Sequence, residues 1–68
     1  MIIYVLLYGY KYEFDCLEGV HTTLKEAQEN FIEGDHAEIT KFKLINDKWT
    51  YIDSMNTNKG EPWPEEEM

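Results

Sequence analysis

The chain has 68 residues and carries fourteen Asp and Glu against six Lys and no Arg, a formal net charge of −8. A small domain this acidic is repelled by nucleic acid and by anionic membrane surfaces, and attracted to basic protein surfaces. Its length allows one domain with one small core, burying only about 60% of the surface the unfolded chain exposes. Cys16 is the single cysteine, which excludes an internal disulfide and makes a reducing, cytoplasmic setting the expectation. The apolar start, Ile2 to Leu7, lacks the basic flank and cleavage site of a leader, and falls far short of the roughly 20 residues that span a bilayer. No membrane partner is expected.

Ile2 to Tyr8 is a β-branched and aromatic run, predicting a strand buried on both faces and central in a sheet. Gly9 marks a bulge or a close backbone approach, with pairing continuing through Tyr10 and Tyr12. A turn near Glu13 to Asp15 leads to a weaker strand, Cys16 to His21, interrupted by Gly19. Thr23-Leu24-Lys25-Glu26 forms a capping box: the Thr23 hydroxyl accepts from the Glu26 backbone N–H, and the Glu26 carboxylate reaches back. Leu24, Ala27, Phe31 and Ile32 recur at helical spacing, and Gly34 stands where a left-handed C-cap belongs. Ala37 to Ile45 and Lys48 to Ile52 are strands flanking Asn46-Asp47, a two-residue type I′ turn. Residues 1–53 are thus the folded domain. Residues 54–68, with two prolines and Trp63 between them, are an extended acidic tail.

The order ββαββ predicts an α+β domain: a four-stranded antiparallel sheet in the order 2-1-3-4, with one helix on one face. On strand 1 the two faces are Ile3, Val5, Leu7 and Ile2, Tyr4, Leu6, Tyr8, Tyr10, Tyr12. The smaller aliphatic set suits the helix, which would leave the tyrosine-bearing set open. Something must cover that set: the C-terminal tail with Trp63 folded back on it, a second copy in a homodimer, or a partner, which makes Tyr4, Tyr8, Tyr10 and Trp63 the expected contacts.

Tyr4-Val5-Leu6, the segment Gly19-Val20-His21-Thr22-Thr23-Leu24-Lys25-Glu26-Ala27-Gln28, and Ile39 to Leu44 followed by Trp49 together resemble a family of small uncharacterised bacterial and phage domains. The resemblance covers about residues 4–50 and departs at His21, where that family tends to carry an aromatic. It implies the fold and carries no activity to transfer. The residue usage, Lys without Arg and rich in Asn, Ile, Tyr and Glu, is what an AT-rich genome encodes and points to a low-GC bacterium or its phage.

Little in the chain points to chemistry. Cys16, His21 and His36 are the only metal-binding combination, and they lack the close ligand pair of zinc sites. An odd spacing would also put Cys16 and His21 on opposite faces of a regular strand. Asp15 and Glu18 disfavour a Cys16 thiolate, and no phosphate loop or nucleotide fingerprint is present. The expectation is a non-enzymatic protein without cofactor or metal. Glu26, Glu29 and Glu33 at helical intervals, followed by Asp35, form an acidic face able to imitate phosphates before a basic groove. The leading expectation is a phage-encoded inhibitor of a host protein with a basic nucleic-acid-binding surface, of anti-restriction or anti-CRISPR type, with no direct nucleic-acid binding. The alternatives are a protein that sequesters a nucleotide signal, using Lys11, Lys41 and Lys43 for phosphates, and a housekeeping homodimer.

Overall fold

The computed structural model describes residues 1–11 and 16–65. Strands β1 (Ile2–Gly9) and β2 (Cys16–His21) precede a short helix, α1 (Leu24–Glu29), and strands β3 (His36–Ile45) and β4 (Lys48–Asn58) follow it. The strands form one antiparallel sheet in the order β2-β1-β3-β4, as the sequence predicts. The most apolar strand is therefore inside. The expected turn between β1 and β2 and any pairing of Tyr12 lie outside the described residues.

Thr23 is the N-cap, extended at φ −132 and accepting from the Glu26 N–H at 3.2 Å. The reciprocal half of the capping box does not form, because the Glu26 carboxylate faces the His21 ring instead. The helix is also shorter than its pattern suggests. Asn30 ends it: its backbone N–H donates to Ala27 O and its side-chain amide donates to Glu26 O at 2.7 Å. This displaces the expected C-cap at Gly34. Gly34 has φ +95, and a Cβ there would lie 2.8 Å from Gly9 O and 3.0 Å from the Tyr8 ring. Glycine is required here by a crossing of two backbones, where Asp35 N–H donates to Gly9 O at 2.7 Å.

Asn46 and Asp47 adopt φ 51 and 63, the two left-handed positions of a type I′ turn. Beyond this turn β4 continues to Asn58, past the end expected at Ile52, so residues 54–58 pair in the sheet. Only then does the chain turn back, through Asn58 to Glu61, with Gly60 at φ +86 and the Glu61 N–H on Asn58 O. Thr57 Oγ donates to Pro62 O at 3.1 Å, which directs Trp63 inward.

Leu6, Ala27, Ala37, Ile39 and Met55 form the core, with Tyr4, Tyr8, Leu24, Phe31 and Trp63 packed against them. All lie on one side of the sheet. The face assignment read from β1 is therefore reversed: the tyrosine-bearing set is beneath the helix, and Ile3, Val5 and Leu7 point to the bare side. The reason is size. A two-turn helix leaves wide gaps beside it, and tyrosine rings together with Trp63 fill them where small aliphatics could not.

Candidate functional site

Two surfaces stand out: the acidic helix side and the bare sheet face. On the helix side, His21 is gripped between Glu18 (Nε2 to Oε2, 2.8 Å) and Glu26 (Nδ1 to Oε1, 3.2 Å). The Glu18 bond, assisted by Glu26, raises the His21 pKa above its ordinary value against the opposing effect of burial. Glu29 lies 4.0 Å from Lys25 in an exposed pair, a contact of little energetic weight. Glu33, expected on the helical row, falls in the loop after Asn30, as does Asp35. Glu33 hydrogen-bonds the Tyr8 phenol and holds its pKa above the ordinary value, and Asp35 accepts from the Lys11 backbone N–H at 3.1 Å. The four carboxylates thus share a side of the molecule without forming a regular ladder.

Between β2 and the loop lies an open cleft of about 210 Å³, with Tyr8 and Phe31 as walls and Glu18 and Glu33 beside them. It is smaller than the roughly 300–1,000 Å³ of ordinary ligand pockets, and a phosphate there would meet two carboxylates. Nor do the expected phosphate donors converge, since Lys43 pairs across from Ile2 while Lys11 follows the far end of β1.

A bulge changes the placement of Cys16 and His21. Gly19 pairs with Leu6 and Leu17 with Leu7, leaving Glu18 as the extra residue. His21 therefore lies opposite Tyr4 and Cys16 opposite Tyr8, on the same face, contrary to the odd-spacing expectation. His36 pairs with Gly9, which turns its side chain to the other face. Among the described residues no three His, Cys, Asp or Glu are placed to hold a metal ion.

Of the covers expected for the tyrosine-bearing set, the tail with Trp63 lies on it beside the helix, so Tyr4, Tyr8 and Trp63 are largely committed internally rather than to a partner. Trp63 meets Phe31 edge-to-face at 5.9 Å and its indole N–H donates to Gln28 O at 3.3 Å. Tyr4 and Tyr8 pack on the core, while Tyr10 stays partly exposed against Tyr8 at 6.1 Å.

The bare face carries residues that the sequence reading did not single out. Leu17 and Val20 of β2 continue through Leu7, Val5 and Ile3 of β1 to Phe42 and Leu44 of β3, and then to Trp49 and Tyr51 of β4. A second bulge, with Ile52 unpaired between Tyr51 and Asp53, keeps Tyr51 and Ser54 on this one face, where their hydroxyls lie 3.2 Å apart. Phe42 and Tyr51 meet edge-to-face at 6.4 Å. The available signal was the period-2 pair Trp49-x-Tyr51 facing Phe42-x-Leu44 across a two-residue turn. Glu38, Thr40, Ser54 and Asn56 occupy one corner, and the Thr40 hydroxyl donates to Glu38.

No family model, curated protein or solved structure matches the chain. The resemblance to small bacterial and phage domains thus rests on the sequence alone. Among the described residues no helix is long and apolar enough to cross a membrane.

Proposed function

We propose that the chain is a non-enzymatic protein-binding module whose acidic helix side engages a basic surface on a target protein. The observation that carries this reading is the segregation of charge. Glu18, Glu26, Glu29, Glu33 and Asp35 gather on α1, on the adjoining edge of β2 and in the loop after α1, outnumbering Lys25 of the helix and Lys41 and Lys43 at the other end of the same sheet face, while Glu38 is the one carboxylate among the described residues of the bare face. A one-sided negative field orients an approaching basic partner and speeds its encounter, whereas an even distribution would not. A nucleic-acid-binding surface is the target chemistry that fits, in keeping with a phage inhibitor of a host defence or transcription protein. The cleft beside Glu18 and Glu33 lends no support to nucleotide sequestration.

Pull-down from bacterial lysate at low and high salt tests the reading, with the triple variant Glu26→Gln, Glu29→Gln and Glu33→Gln beside the native chain. A basic protein retained only at low salt, displaced by double-stranded DNA and lost with the variant supports it. Equal retention by both chains at both salts overturns it.

A further inference from the structure

We infer that the bare sheet face is a homodimer interface, on which a second copy of this chain packs face to face. The molecule measures 37 × 25 × 15 Å, so it is one sheet with a single thin layer on one side. On the other side Leu17, Val20, Trp49 and Tyr51 are 63%, 56%, 47% and 58% exposed, and Leu44 is 36% exposed. With the half-buried Ile3, Val5, Leu7 and Phe42 between them, they form a continuous band across all four strands. A contiguous apolar band of this kind, edged by polar residues, is the mark of an interaction surface.

Charge selects the occupant. A basic partner would find almost nothing to pair with here, since Glu38 stands at the polar corner and already accepts from Thr40. A second copy brings the same uncharged band and keeps its own acidic side turned away. Two such sheets stack about 10 Å apart with strands roughly aligned, an arrangement that one two-fold axis satisfies with every contact made twice. The fully enclosed core of one chain holds just Leu6, Ala27, Ala37, Ile39 and Met55 among the described residues. A domain of this size gains from burying a second apolar layer. The resulting sandwich carries both helices outside and presents two acidic surfaces in opposite directions.

Sedimentation equilibrium of the native chain from about 1 to 100 μM, with melting temperature followed over the same range, tests the interface. A dimer mass with a melting temperature that rises with concentration is expected. Val20→Glu and Tyr51→Glu, each at a side chain more than half exposed, should raise the dissociation constant at least a hundredfold while the circular dichroism spectrum stays native. Ile32→Glu, at an exposed residue of the helix side, should leave the dimer intact. A native chain that remains monomeric at about 100 μM overturns the inference without any variant, as does a dimer that Val20→Glu and Tyr51→Glu leave whole or that Ile32→Glu splits. None of these outcomes depends on the acidic side or its target.

Discussion

At the scale of single residues, two positions carry more than their size suggests. His21 is held by two carboxylates, so its folded pKa lies above the ordinary value of about 6.5. Its contribution is fully present below the unfolded pKa and is lost as pH rises through the folded one. Urea midpoints should therefore fall as pH rises from the ordinary histidine range through the raised folded pKa in the native chain, and much less in His21→Gln. A fall of equal size in the variant would place the titrating group elsewhere. Gly34 is the second position. An alanine there must adopt φ +95 while its Cβ presses on Gly9 O at 2.8 Å. Both neighbours are backbone or a packed ring, so relief requires moving β1 away from the loop, and Gly34→Ala should cost about 1–3 kcal/mol. Gly60→Ala is the control, since it shares the positive φ but meets nothing within 4 Å. Denaturant melts should rank Gly34→Ala well below Gly60→Ala.

Among the elements, α1 depends on its cap, because six residues are too few to hold a helix by propensity. Thr23→Ala removes the oxygen bonded to the Glu26 N–H and should lower stability by about 0.5–2 kcal/mol, read as a drop in melting temperature. An unchanged curve would mean that the helix start is held by packing instead. The docked tail is a second such element. Trp63→Ala should cost about 1–3 kcal/mol, less than a fully buried tryptophan, and should increase the solvent exposure of Phe31. The strand limits of β2, the Thr23 cap and the Asn46-Asp47 turn were all legible in the sequence, because each rests on local chemistry. The helix end was not, since it depends on an Asn30 side chain closing the last turn, a competition that periodicity does not register. The faces were missed for a different reason. β1 is apolar on both sides, so its alternation does not say which set the helix covers, while the extra residues at Glu18 and Ile52 invert the parity of β2 and β4 alone. The full length of β4 was hidden as well, because Asp53 to Asn58 is polar and is held in the sheet by pairing with β3 more than by its own residues.

For the molecule as a whole, fourteen carboxylates on 68 residues repel one another in the folded state. Moderate salt should raise the melting temperature, and the gain should shrink in the triple glutamine variant of the acidic side. The native chain should show no saturable binding to double-stranded DNA at physiological salt. Saturable binding would remove the case for a basic protein target.

The strand order also has a consequence in time. β1 and β3 are the two inner strands, yet β3 lies some thirty residues further along the chain. β3 and β4 can close locally around Asn46-Asp47, whereas the β1–β3 seam must first enclose a long loop, an entropic cost that non-local contacts repay late. The β3–β4 hairpin is therefore the expected nucleus. Asp47→Ala, placing a poor residue at φ 63, should slow refolding with little change in unfolding. Trp63→Ala should do the reverse. Until that seam closes, the stickiest segment of the chain, Ile2 to Leu7, has no β3 beside it, so the interval between making β1 and making β3 is when this protein is most exposed to aggregation.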